Sequence, residues 1–287
     1  MAGSLLVCTD LDRTLIPNGP QPESPGARGH FASLAARPEV SLALVSGRDR
    51  QLVEQAIRNY HLPRPDFVIG DVGTTIYQVD ADHQWHGLEQ WAAEVAQDWA
   101  GQSHGALAGL LHGLTDLRLQ ERARQNRHKL SYYVPLQRFG PHLSGEVQRR
   151  LDQAGVRARL VWSVDEPAGI GLLDILPARA SKYHAIEALR EARGWHGRDT
   201  VFCGDSGNDL EVLASPIRAV LVANSPPEVR ERALQLAAEA GLEDRLYIAQ
   251  GGFMGMSGNY AGGMLEGIAH YFPYTVEWMG FHSEGAA

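Results

Sequence analysis

Short apolar runs that stop at polar, glycine-containing loops alternate with stretches of helical spacing through most of this chain. Residues 4–9 (Ser-Leu-Leu-Val-Cys-Thr) and 40–45 (Val-Ser-Leu-Ala-Leu-Val) have the continuous apolar character of strands buried on both faces. Between them, residues 29–36 read as a helix, with Pro38 beyond its end. After the second strand Asp49 is placed to cap a helix running to about Tyr60, with Leu52, Val53, Ala56 and Ile57 on one face. Residues 67–70 predict a third strand and 74–79 a β-branched extension. Such an alternation of strand and helix implies a parallel sheet with right-handed crossovers.

The alternation breaks between residues 81 and 168. Here the spacing predicts helices over 88–100 and 104–114, a strand at 129–134, a helix at 143–154, and strands at 157–164 and 171–176. That is the pattern of an α+β module inserted into an α/β domain. The sheet pattern then resumes with a helix from Ser181 to Arg193, a strand at 200–203 and a helix at 208–214. A strand at 218–223, a helix at 226–240 with proline early, where it is tolerated, a strand at 247–249 and a helix at 260–271 complete it. The expected fold is therefore a Rossmann-like α/β core formed by residues 1–80 and 169–287, carrying an α+β cap at 81–168.

Composition narrows the function classes. With 44% apolar and 21% charged residues the chain is an ordinary globular one, and a formal charge of -8 argues against general nucleic-acid binding. No apolar stretch approaches the roughly 20 residues that span a bilayer, so no membrane partner is expected. The N-terminal apolar run lacks a basic leader and breaks at Thr9-Asp10, which points to a cytoplasmic protein. Cys8 and Cys203 each lie inside an apolar run and read as free core thiols. Charge is uneven: from Arg118 to Arg159 ten Lys or Arg face three acids, a local +7 against -15 for the remainder. Such a stretch is either a solvated basic face or a surface that draws in an anionic small molecule.

Four polar clusters follow strand ends, where open α/β sheets bind ligands. The first is Asp10-Leu11-Asp12-Arg13-Thr14. Alone, Asp-x-Asp also occurs in metal-dependent glycosyltransferases and in capping loops. The second, Ser46-Gly47-Arg48, could hold a phosphate at the N-terminus of the next helix, or could simply be a strand-to-helix turn. The third is Lys182 at a helix start, where a lone lysine is ordinarily a surface residue. The fourth is Gly204-Asp205-Ser206-Gly207-Asn208-Asp209, a hard-oxygen cluster suited to Mg²⁺ that could otherwise be an Asx-rich turn.

In order, spacing and placement, the four clusters resemble those of the haloacid dehalogenase-like superfamily, and the inserted module falls where its C2-type cap is inserted. The resemblance implies Asp10 as nucleophile and Asp12 as general acid/base. It assigns Ser46, Gly47 and Lys182 to the phosphoryl group. Mg²⁺ is then held by Asp10, Asp205, Asp209 and the backbone carbonyl of Asp12.

Within the superfamily the chain is similar to the sucrose-phosphate phosphatase group over nearly its whole length. The likeness includes residues 125–132 (Gln-Asn-Arg-His-Lys-Leu-Ser-Tyr), 173–177 (Leu-Asp-Ile-Leu-Pro), and the tail from Gly258 to Ile268 with His270. Arg13 stands where that group commonly has Asn, at a position expected to face solvent. The resemblance makes Gln125, Asn126, Lys129 and Tyr132 candidate sugar contacts from the cap, and Arg48, Thr74 and Asn208 candidates from the core. It implies a phosphatase acting on a sugar phosphate, with sucrose 6-phosphate foremost. Mannosylfructose phosphate and a glycosyl-phosphoglycerate are rival substrates. Docking on a glycosyltransferase and a non-catalytic sugar-phosphate-binding role are further readings.

Overall fold

The computed structural model describes residues 5–165 and 168–281. Among the described residues twelve strands fall into two sheets. Eight form the large one: β1 (Leu5–Thr9), β2 (Val40–Val45), β3 (Phe67–Gly70), β4 (Thr75–Val79), β5 (Trp85–Gly87), β10 (Thr200–Gly204), β11 (Arg218–Leu221) and β12 (Leu246–Ile248). The small antiparallel sheet holds β6 (Arg118–Leu119), β7 (Leu130–Val134), β8 (Ala158–Asp165) and β9 (Ile170–Pro177). The large sheet runs in the order β12-β11-β10-β1-β2-β3-β4-β5, parallel as far as β3 and antiparallel beyond it.

The helices are α1 (Ala27–Ala35), α2 (Arg50–Tyr60), α3 (Glu89–Ala96), α4 (His104–Leu110), α5 (Pro141–Gln153), α6 (Lys182–Arg193), α7 (Leu210–Leu213), α8 (Pro227–Ala240), α9 (Tyr260–Tyr271) and α10 (Thr275–Trp278). The period-2 geometry of β1 explains its unbroken apolar run. Leu5 and Val7 join the apolar layer under α1, α2 and α9, while Leu6 and Cys8 join the opposite layer under α3, α6, α7 and α8. Cys8 and Cys203 are free and buried in neighbouring strands. No helix among the described residues is long and apolar enough to cross a membrane.

Strand pairing moves the expected domain boundaries at 81 and 168. Trp85–Gly87 is not part of the inserted module: β5 extends the large sheet, and Trp91 and Val95 of α3 pack into the core layer beneath it. At the other end β9 lies between β7 and β8 in the small sheet, not in the core. Leu173 and Ile175 pack inside the cap whereas Leu176 already belongs to the core, so the chain changes body at the end of β9. The sequence conceals the first boundary because β5 is three residues long and mostly exposed. Several helices are also shorter than expected. The one expected over 88–100 stops at Ala96 and tightens into a 3₁₀ turn, Gln97–Trp99, and α4 ends at Leu110.

The tail segment closes the core. Every residue of α9 from Tyr260 to Ala269 is buried, and Gly267 lies so close to Val220 that an added Cβ would come within 2.4 Å of its side chain. Glu266 is the polar exception on that buried helix. Its Oε1 accepts hydrogen bonds from Tyr247 Oη (2.9 Å) and Gln250 N (2.8 Å), and its Oε2 accepts one from Gly251 N (2.8 Å). One carboxylate thereby satisfies the backbone where β12 turns into the next loop. Glu266→Ala strands these donors, so we expect a loss of about 2–4 kcal/mol in urea unfolding, with Glu266→Gln recovering part of it. A loss below about 0.5 kcal/mol for the alanine variant contradicts this role.

Candidate active site

Three carboxyl-side loops of the large sheet converge with the start of α6. Asp10 follows β1, and its amide continues the ladder by donating to Cys203 O at 2.9 Å. Ser46 follows β2 and Asp205 follows β10, while Lys182 opens α6 behind a Ser181 N-cap. Lys182 is fully buried, contrary to the ordinary expectation for lysine, with Nζ 3.1 Å from Asp10 Oδ1 and 2.7 Å from Asp209 Oδ1. Burial alone lowers an ammonium pKa, but the two carboxylates more than offset it and the Lys182 pKa lies above its ordinary value.

Asp10, Asp205 and Asp209 form a group in which ligand-ready oxygens lie within 4.8 Å of one another. Burial pushes the Asp10 carboxyl up to about 7, with Lys182 pulling against it and the other two acids adding to it. Burial and then Asp209 raise Asp205 to about 6. Three acids therefore share one fully buried ammonium, and the charge is under-compensated. Hard oxygen donors so arranged fit Mg²⁺. The three are not equivalent. Asp209 Oδ2 accepts from Asp205 N, Ser206 N and Ser206 Oγ at 3.0–3.3 Å, so Oδ1, shared with Lys182, is its remaining ligand atom.

Asp12 is arranged differently. Its carboxylate lies outside the three-acid group and is gripped by Arg48, whose Nε donates to Oδ2 at 2.7 Å, while Asn18 Nδ2 donates to Oδ1 at 2.7 Å. Arg48 thus touches Asp12 rather than standing free for a sugar. Ser46 is buried, its Oγ accepting from Arg48 N at 3.2 Å, and Asp49 caps α2 as the sequence indicates. A side chain at Gly47 would meet Val72, its Cβ 3.7 Å from Cγ2.

Sequence reasoning missed the turn that joins these pieces. Asp71, Val72 and Gly73 all have left-handed backbones (φ 50°, 59° and 92°), a costly conformation for a β-branched residue. Asp71 N donates to Arg48 O and Val72 N to Ser46 O, while a Cβ on Gly73 would sit 2.3 Å from Ser181 O. The turn therefore wedges the phosphate-loop candidate against the start of α6. The spacing Gly70-Asp71-Val72-Gly73 between two strands was the available signal.

The predicted cap residues divide. Asn126 Nδ2 donates to Thr74 Oγ1 at 3.0 Å, tying cap to core, and Thr74 is itself buried. Gln125 is consumed within the cap: its amide donates to Gln120 O and Ser131 O, and its oxygen accepts from Ser131 N. Gln125 and Asn126 line a cavity of about 380 Å³ with His104, Leu119, Gln120 and Arg122. Lys129 and Tyr132 do not. Lys129 is buried between Asp71 and Asp174, 3.7 Å from each, and Tyr132 packs in the cap's apolar core, its phenol pushed up to about 12 by burial. A second cavity, about 400 Å³, opens between cap and core and is lined by Val72, Arg159, Lys182 and Asn208 among others. Arg159 of β8 pairs with Glu211 of α7 across it at 3.2 Å.

Comparison with known proteins places the chain in a family. Residues 3–272 match the family described as Sucrose-6F-phosphate phosphohydrolase. A protein of Nitrosococcus oceani, described no further than as a HAD-like hydrolase, is 53% identical over 97% of this chain and 75% of its own length. Sucrose-phosphatase 1 of Nicotiana tabacum is 27% identical over 79% of this chain, which spans only about half (52%) of that protein. Mannosylfructose-phosphate phosphatase of Agrobacterium fabrum is 28% identical over 93% of this chain and 96% of its own. Among solved structures, sucrose-phosphatase from Synechocystis sp., in complex with sucrose and phosphate, superposes with a TM-score of 0.72 at 26% identity, covering 94% of this chain and 98% of that one. With the family matched over residues 3–272 and the α/β fold shared with a solved relative, the chain belongs to the sucrose-6F-phosphate phosphohydrolase family of haloacid dehalogenase-like phosphatases.

Proposed function

We propose that this phosphatase is Mg²⁺-dependent and hydrolyses sucrose 6-phosphate through an aspartyl-phosphate on Asp10. The observation that carries the chemistry is the buried carboxylate of Asp10 beside Lys182 and two further acids at the carboxyl ends of the central strands. Asp10 attacks phosphorus in line with the sugar oxygen, and the bond from phosphorus to that oxygen breaks. Asp12 delivers a proton to the departing oxygen, then takes one from the water that attacks the phosphoenzyme, releasing phosphate and restoring Asp10. Lys182 sets a positive charge against the phosphoryl oxygens, and Ser46 Oγ has a proton to donate to them. Arg48 grips both Asp12 oxygens in the free protein, so Asp12 has to leave this pair and take a proton from solvent as substrate binds before it can act as the acid. Asp10, Asp205, Asp209 and the Asp12 carbonyl would hold Mg²⁺, which would supply the charge that offsets repulsion between an anionic nucleophile and an anionic ester.

The cap supports a glycosylated substrate. The cavity beside Asn126 is large enough for a sugar ring and presents Gln120, Arg122 and His104. A similar identity to the sucrose and mannosylfructose phosphatases leaves the second of these disaccharide phosphates as the alternative within the same chemistry.

Two measurements test this reading. The kcat/KM for sucrose 6-phosphate should exceed those for glucose 6-phosphate and fructose 6-phosphate by about a hundredfold, since two unpaired polar groups in the cap cost roughly 1–3 kcal/mol each. Similar values for all three make the cap a lid and remove the disaccharide reading. A preference for mannosylfructose phosphate keeps the mechanism and changes the substrate.

The second measurement is thermal unfolding with and without Mg²⁺. Asp10 and Asp205 titrate above the ordinary carboxylate range, near 7 and 6, so the folded metal-free protein holds protons that the unfolded chain releases. Their contribution to stability is present below pH 4 and is lost as pH rises through 6–7. Metal binding requires the same groups deprotonated, so the rise in Tm caused by Mg²⁺ should be much larger at pH 8 than at pH 5. An equal rise at both pH values removes these carboxylates from the metal site.

A further inference from the structure

Arg13 was expected to be a solvent-side residue of the first loop; its side chain is indeed 39% exposed, but its Nε is turned inward. Its backbone is left-handed at φ 58° and is pinned at both ends: N donates to Asn18 Oδ1 at 2.8 Å, and O accepts from Asn224 Nδ2 at 2.7 Å. The guanidinium is pinned too, with Nη2 donating to Asn224 O at 3.2 Å. Asn224 is fixed in turn by accepting from Tyr260 N at 2.8 Å, so the tail helix α9 holds the whole arrangement. What remains is Nε. It is buried, has no hydrogen-bond partner, and lies 3.5 Å from Asp205 Oδ2.

We propose that Arg13 is a built-in countercharge that sets the metal affinity of this site, weakening divalent-cation binding by sharing the Asp205 carboxylate. This rests on the metal reading above and extends it to a residue outside the ligand set. Two opposite effects are conceivable, because a cation beside a ligand can either hold it in place or compete for it. Geometry decides between them. Asp205 is directed by its position at the end of β10 and by Thr14 Oγ1, which donates to Oδ1 at 3.2 Å. Arg13 makes no hydrogen bond to Asp205 at its longer distance, so it supplies charge and not direction. Without it, Asp10, Asp205 and Asp209 answer to Lys182 alone, and a divalent cation gains what the guanidinium supplied. The family resemblance marks Asn as the common residue here, which makes Arg13→Asn the informative exchange.

The experiment is calorimetric titration of Mg²⁺ into the intact protein and into Arg13→Asn and Arg13→Lys, with Tm of each metal-free form. Arg13→Asn should bind Mg²⁺ roughly three- to tenfold more tightly, the size of a partly screened charge pair, and its metal-free form should melt lower. Arg13→Lys keeps the charge and should stay within about twofold of the parent. Equal or weaker binding by Arg13→Asn overturns the proposal, and so does a lysine variant that tightens as much as the asparagine one. Should Arg13→Asn not fold, Arg13→Gln carries the same expectation and the same contrary results. If the parent protein itself binds no Mg²⁺, the metal reading fails; if it binds and the neutral variants are no tighter, the countercharge alone is withdrawn.

Discussion

Withdrawing three carboxylates from water around a single buried ammonium is an arrangement that a folded chain tolerates only with help. Each anion loses hydration as the loops after β1 and β10 pack together, and Lys182 repays only part of that loss. The surrounding structure is organised by this constraint. Backbone amides of Asp205 and Ser206 steady Asp209, Leu11 N steadies Asp10 and Thr14 steadies Asp205. As proposed, a divalent cation held by the three acids would complete the compensation and make the field met by an anionic ester attractive. The proposed metal dependence rests on this shortage of positive charge.

Holding the loops in register falls to parts of the chain with no chemistry of their own. The left-handed turn from Asp71 to Gly73 packs on both the Ser46 loop and the start of α6, and its strain is sustained by hydrogen bonds from two of its amides and by Trp91 Nε1, which donates to Gly73 O at 3.0 Å. On the opposite side, α9 and Asn224 hold the loop from Arg13 to Asn18. The cap is seated on this frame at two edges. Asn126 meets Thr74 and Lys129 meets Asp71 on one side, and Arg159 meets Glu211 on the other, with the cleft between. Residues that resemble sugar contacts in sequence are in part these seams.

Much of the core was legible because its signals are local. Strands buried on both faces announce themselves as unbroken apolar runs, and the acid-rich loops lie next to them in sequence. The domain boundaries were not, because β5 has almost no apolar signal and β9 belongs to the cap in its middle and to the core at Leu176. Within the site, the family resemblance named Asp10, Asp205, Asp209 and Lys182, which the fold brings together. It could not tell that Gln125 spends its amide on the cap backbone or that Tyr132 is core. Nor could it tell that Arg13 reaches Asp205, which depends on contacts with Asn224, 211 residues away. Pairing across such separations leaves no trace in a local pattern.

The central claim is that phosphate passes through Asp10. It is tested most directly in an Asp12→Asn variant given p-nitrophenyl phosphate and Mg²⁺, because that leaving group departs without a proton and water is left without its base. Acid-quenched protein should then carry one added phosphoryl group, mapping by peptide mass spectrometry to the segment containing Asp10 and vanishing in the Asp10→Asn, Asp12→Asn double variant. Release of p-nitrophenol with no phosphorylated protein, or a phosphoryl group on any other residue, would contradict the account.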